Sequence, residues 1–446
     1  MFKLAKQGQN LRSDLSTENR PDAGRRSILG AGGIVAGALG AMALTHSEKA
    51  HATTTNPFVN VLDFGAVGNG IHDDTAAIQA ALNAAANNCA CYLPNTGSSY
   101  VISSSINVPS NSNVILFGSV LLAAHANQLM LSLGSNVRIT GSGTLDGNRV
   151  NQNPTPTQGL AGIYAYGSTN IHISDITVTN CYHWPVSIVN SSYVRLENCT
   201  FSNSGDSAEF AGTSSHCWAV GCTIFATPDE AFAFYNGVTD SGITQCTLYG
   251  STGGAGISVL NDSGSPGCQR LSICNNHAFG NWLSGIAVDT GAGSTSAHQD
   301  INICGNILYG NCLSSAAYHT LYLSNVKGVV VSNNQIFRNG HAVANYGIFV
   351  NSNVARATIS SNDIHDEGQS TGGTGVGIYV LNGASRIVII GNNIYDSQAT
   401  KTMAFALAGT ATSGVTAMSN VLGPTIGAPL QLPAGTNYFV NNQIIP

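Results

Sequence analysis

Three carboxylic acids stand 23 or 24 residues apart near the middle of this 446-residue chain: Asp206, then Asp229 with Glu230. His183 and Trp184 precede Asp206 by a similar step. A pair of carboxyl groups held roughly 5–5.5 Å apart equips a site for retaining glycoside hydrolysis, and roughly 6.5–9.5 Å for inversion. An aromatic face beside such a pair suits the apolar face of a pyranose. Asp206, Asp229 and Glu230 are therefore the candidate catalytic groups, and His183 and Trp184 the candidate substrate-binding ones. They can act together only if the chain returns to one place every 23 or so residues.

The sequence carries that return. One slot, recognised by the pattern Asn-x-apolar or Cys-x-apolar, falls on Ile176, Cys199, Cys222, Cys246, Asn276, Asn306, Asn334, Asn362, Asn392, Asn420 and Asn442, in steps of 22 to 30 residues. Aliphatic residues stand three positions earlier at Ile273, Ile303, Val331, Ile359 and Ile389. A period of this length marks a solenoid. The units are short β-branched runs broken by Gly, Asn and Ser, with no helical period. Each unit is expected to be one coil of a parallel β-helix, with identical side chains stacked about 4.8 Å apart and the Asn amides bonded coil to coil. Seven residues past the slot come His183, Asp206, Asp229 and Gly253; eight past come Trp184, Ser207, Glu230 and Gly254. The register is open by one, since counting back from the following strands pairs Asp206 with Glu230.

Only 9% of the residues are charged and 51 are glycine, a composition that is neither disordered nor helical. Gly24-Arg25-Arg26-Ser27-Ile28-Leu29-Gly30 precedes a mild apolar stretch and then Ala50-His51-Ala52, a small-x-small cleavage site. Residues 1–52 thus resemble a twin-arginine export signal, which implies a periplasmic or secreted protein. The apolar stretch is too short to span a bilayer comfortably, so no stable membrane insertion is expected after cleavage. Residues 53–446 would then form one β-helix domain, with an opening segment at 57–150 and repeat coils at 160–446. That part holds 9 basic and 18 acidic residues, a net charge of −9, which argues against nucleic acid as a partner. All 11 cysteines lie in it. Stacked cysteines are expected to be buried apolar residues rather than disulfides, and no spacing suggests zinc.

Val61-Leu62-Asp63-Phe64-Gly65-Ala66-Val67-Gly68-Asn69-Gly70 leads through Asp73-Asp74-Thr75 to Ala76-Ala77-Ile78-Gln79-Ala80-Ala81-Leu82. This reads as a strand, a turn and an amphipathic helix capped by Asp74 or Thr75, with Ile78 and Leu82 covering the first coil. The segment resembles the opening of the pectate-lyase superfamily module of rhamnogalacturonase-like and epimerase-like proteins, and Asn136 to Gly147 resembles an early coil of polygalacturonases. The resemblance implies a right-handed, single-stranded parallel β-helix. Ser204-Gly205-Asp206 stands where polygalacturonases carry Asn-Thr-Asp, and Pro228-Asp229-Glu230 where they carry Asp-Asp, which implies an acid and a base drawn from these three residues. The family's Gly-His-Gly would fall at Gly253-Gly254-Ala255 and its Arg-Ile-Lys at Ala287-Val288-Asp289, so its manner of holding a uronic acid is not carried over.

The expected function is an exported enzyme on polysaccharide or oligosaccharide, a glycoside hydrolase working without a cofactor. Calcium at Asp229 and Glu230 lacks a full ligand set. The alternatives are a lyase or C5-epimerase on uronate polymer, with His365 and Asp366 as its best base, His341 being a weaker candidate, and a non-catalytic glycan-binding or surface-structural protein.

Overall fold

The computed structural model describes residues 58–153, 159–290, 294–314, 318–340, 345–368, 375–433 and 436–445. The export signal read at 1–52, and His341, lie outside the described residues.

The chain winds into a right-handed parallel β-helix whose coils each contribute one strand to three parallel sheets of 15, 14 and 13 strands. One coil runs Gln269–Cys274 in the first sheet, His277–Phe279 in the second and Ile286–Val288 in the third. Alternate side chains (Leu271, Ile273, Ala278, Ile286, Val288) point into one continuous apolar core that extends from Val61 to Leu422. Handedness follows the general preference of parallel crossover connections.

The corner between the first and second sheets explains the repeat. The residue before each slot is left-handed, from Asp175 (φ 63°) through Asn275 (φ 60°) and Asn333 (φ 57°) to Asn441 (φ 51°). Asn, Asp and Gly fill many of these positions because they reach that region at least cost. In the slot, Asn276 Nδ2 donates to Asn306 Oδ1 at 3.0 Å, and the same bond at 2.9 Å joins Asn306 to Asn334, Asn334 to Asn362, and onward to Asn442. Cys199, Cys222 and Cys246 continue the column as buried thiols. Cys274 and Cys304 depart from the expectation. They face outward on adjacent coils and form a disulfide, because register brings two outer-face thiols into direct opposition.

The helix Thr75–Ala85 buries Ile78, Ala81 and Leu82 against the first coils. Its cap differs from expectation. Asp74 occupies the N-cap position, but its buried carboxylate accepts from Val67 N at 2.7 Å and Gly68 N at 3.0 Å, closing the preceding turn. Asp73 supplies the bond to Thr75 N instead, at 3.1 Å.

A second ladder lines the corner between the second and third sheets, five residues past the slot. Cys181 N donates to Ser204 Oγ at 3.2 Å, and Ser251 N to Asn281 Oδ1 at 3.2 Å. Asn281, Asn311 and Asn339 bond in series at 2.9 and 3.1 Å. On the outer face of the second sheet, Phe225, Tyr249, Phe279, Tyr309, Phe337, His365 and Tyr395 form one stack with centroids 5.0–5.4 Å apart.

Candidate active site on the turn ridge

The turns from the second sheet to the third begin at the second ladder and line up along one edge of the solenoid. Asp206 lies between Thr200–Ser202 and Ala208–Ala211; Asp229 and Glu230 lie between Thr223–Phe225 and Phe232–Tyr235. Asp206 N donates to His183 O at 3.1 Å, which seats the two turns directly on one another.

The one-residue ambiguity in the sequence is real and resides in the turns. Thr200 pairs with Thr223, an offset of 23, whereas Ala208 pairs with Phe232, an offset of 24. Asp206 is therefore level with Asp229 when followed from the second sheet and with Glu230 when followed from the third. Both acids answer one aspartate.

Hydroxyl groups of the second ladder hold this turn. Thr227 Oγ1 is shared between the carbonyls of Asp229 and Glu230, both at 3.1 Å, and Ser251 Oγ between those of Asp229 at 2.8 Å and Gly254 at 2.7 Å. Burial, the hydrogen-bonded Asp229 carboxyl and the charge of Asp206 push the Glu230 carboxyl well above its usual range. Asp206 Oδ1 accepts from Ser207 N at 2.8 Å and Ser207 Oγ at 3.3 Å.

His183 joins the ridge one coil earlier. Its Nδ1 accepts from Leu160 N at 3.1 Å, and burial followed by the charge of Arg149 pushes its imidazole down to about 4. The ring is neutral at pH 7. Trp184 is 8% exposed, with its six-membered ring 3.3 Å from where a side chain on Gly159 would begin and 5.2 Å from the His183 ring.

Two further groups escaped the sequence pattern. Arg149 sits in a single 3-10 turn, Arg149–Asn151, with Nη1 3.4 Å from the carbonyl of Asn203. An irregular turn has no slot from which to count, so no periodic signal points to it. Glu209 lies on the outer face of the third sheet between core residues Ala208 and Phe210, is buried, and accepts from Ser187 Oγ at 2.7 Å. Alternation within that strand was its only signal.

The His365 and Asp366 pair belongs elsewhere. It lies five coils beyond Asp229 and Glu230, where His365 is one ring of the outer stack and its Nδ1 is 3.0 Å from Asp366 Oδ2. Asp366 in turn accepts from Ser397 N at 2.7 Å. Among the described residues no three His, Cys, Asp or Glu side chains converge as a metal site.

Residues 58–313, more than half of the chain and including Arg149, His183, Trp184, Asp206, Asp229 and Glu230, match the family described as rhamnogalacturonase A/epimerase, pectate lyase-like. The chain belongs to that family. Solved structures repeat the architecture of this pectate lyase-like chain. The A-module of the Azotobacter vinelandii mannuronan C-5 epimerase AlgE6 is 18% identical, with a TM-score of 0.62 over 87% of this chain and 99% of its own. A tailspike protein of the E. coli bacteriophage HK620, solved with a pentasaccharide, is 14% identical, with a TM-score of 0.60 over 86% of this chain and 78% of its own. The periplasmic alginate epimerase AlgG is 13% identical, with a TM-score of 0.52 over 78% of each chain. At these identities the likeness is one of fold.

Proposed function

We propose that this protein is an exported polysaccharide-active enzyme that cleaves glycosidic bonds with paired carboxyl groups. One observation carries the reading: a carboxyl held toward its protonated form, Glu230, adjoins Asp229 and the hydrogen-bonded Asp206 on neighbouring turns. A carboxyl held toward its protonated form beside further acids is what a general acid of such a pair requires. Glu230 donates the proton to the leaving oxygen, and Asp206 or Asp229 supplies the base or nucleophile. His183 and the turn backed by Trp184 form the wall against which the sugar lies. Membership of a family named for a rhamnogalacturonase and an epimerase supports a glycan substrate.

Arg149 favours a second reading, a lyase or C5-epimerase on a uronate polymer. A guanidinium beside the ridge would neutralise the substrate carboxylate while Asp206 takes the proton α to it. Residues 53–446, incubated with neutral and acidic polysaccharides, distinguish the readings. New reducing ends without unsaturated-product absorbance mean hydrolysis; both together mean a lyase; an altered uronate configuration with neither means an epimerase. Binding without any turnover overturns the enzymatic reading.

Export rests on Arg25 and Arg26 ahead of a weakly apolar stretch. Replacing both with Lys is expected to retain the precursor in the cell, and normal export of that variant refutes the assignment. Among the described residues no helix is long and apolar enough to cross a membrane.

A further inference from the structure

We infer that Trp282 is a sugar-stacking residue further along the same ridge, receiving a pyranose of the chain whose reacting bond lies at Asp206, Asp229 and Glu230. The inference rests on the glycan reading above and adds a second point of contact to it.

Trp282 stands on the same ridge, two coils beyond Asp229. Its backbone N–H donates to Ser251 O at 2.9 Å, and its carbonyl accepts from Ser314 N at 2.9 Å, so the turn that carries it is bonded into the ridge on both sides. Its side chain differs from most other aromatic groups of the molecule. The rings on the second sheet spend their faces on one another, and Trp184 is buried. Trp282 is 40% exposed and makes no ring contact among the described residues. An exposed indole keeps an apolar surface and an N–H available to a ligand.

The turn between Trp282 and the acids carries only small side chains, Ser251, Thr252 and Ala255 among four glycines. It presents Gly253 and Gly254, and a side chain on either would collide with backbone: the Cβ of residue 253 would fall 2.2 Å from Pro228 O, and that of residue 254 would fall 2.4 Å from Glu230 N. Glycine is required there by close packing against the acid turn, so no side chain rises from these two positions between Glu230 and Trp282. Two coil rises, about 10 Å, separate the acid turn from the turn of Trp282. An exposed indole, one turn of small residues away from the acids, suits a polymer that is gripped in one place and cut in another. A pyranose with an apolar face is the occupant that matches it, and the ridge offers no cation beside Trp282 among the described residues to select an anionic group there.

The test uses tryptophan fluorescence and steady-state kinetics with oligosaccharides of neutral glucan, polygalacturonate, rhamnogalacturonan and alginate. The wild-type chain is expected to bind one of them with a fluorescence change. Trp282→Ala should weaken that binding about tenfold and raise KM on long oligomers, with kcat and the KM of the shortest cleaved oligomer unchanged. Trp282→Phe should retain most of the affinity. Equal affinity for wild type and Trp282→Ala overturns the inference, as does failure of the wild-type chain to bind any of the panel. The two readings fail separately. Loss of turnover in Asp229→Asn with no effect of Trp282→Ala removes this inference and keeps the enzyme, whereas Trp282-dependent binding without turnover does the reverse.

Discussion

The Asn339 side-chain amide donates to the Glu367 carboxylate at 2.9 Å, so the second asparagine ladder ends on a buried acid. Glu367 also accepts from Thr320 Oγ1 at 3.1 Å and from Asn345 Nδ2. These three donors do not offset its burial, which pushes the carboxyl up from 4.5 to about 7.

A pH dependence of stability follows. The folded chain holds the Glu367 proton more tightly than the unfolded one, so this contribution is complete below about pH 4.5 and is lost as pH rises to 7 and above. Glu367→Gln cannot ionise and is expected to remove that decline. Thermal melts at pH 5 and pH 8 should show the variant regaining about 1–3 kcal/mol relative to wild type at the higher pH. Parallel declines in both proteins would remove Glu367 as the cause.

The first ladder predicts a stability effect of another kind. Asn334→Ala strips the acceptor from Asn306 N and Asn306 Nδ2, both at 2.9 Å, and the donor from Ile303 O at 3.0 Å. Each buried group left unpaired costs about 1–3 kcal/mol. The melting temperature should fall while the specific activity of the folded fraction is kept. An unaltered melt would contradict the ladder.

The carboxyl cluster predicts loss of turnover without loss of fold. Asp229→Asn and Asp206→Asn are each expected to reduce turnover by about 10²–10⁴-fold, and the double variant to be little worse than either alone, because the groups act as a unit. Glu230 acts in its protonated form, so the rate should fall as pH rises through its raised titration, and Glu230→Gln should abolish that limb with most of the activity. Near-wild-type rates for the Asp variants on a cleaved substrate would sink the assignment.

The solenoid was legible because its corners are stereotyped. A left-handed residue followed by a buried amide is a local requirement, and it recurs from Asn275-Asn276 to Asn441-Asn442 however long the intervening turns become. The acids were legible because they lie a fixed count past that slot. Arg149 was not, since its turn obeys no period. The Cys274–Cys304 bond was not, because spacing alone gives a face but no pairing. The aromatic stack was available in the sequence three residues past each slot from Cys222 to Asn392, and it accounts for His365, which chemistry alone nominated as a base.

The turn that bears Asp206 holds five residues, 203–207, whereas the next holds six, 226–231. The strands on either side are insensitive to this difference, since their pairing is fixed by the core and the ladders. The meeting of one acid with two is thus a matter of chain length, not of residue identity. A single codon gained or lost within 203–207 or 226–231 would leave the scaffold wound as before and rotate the carboxyl groups out of step. For proteins of this build, insertion and deletion in the ridge turns are as direct a route to new chemistry, or to none, as substitution.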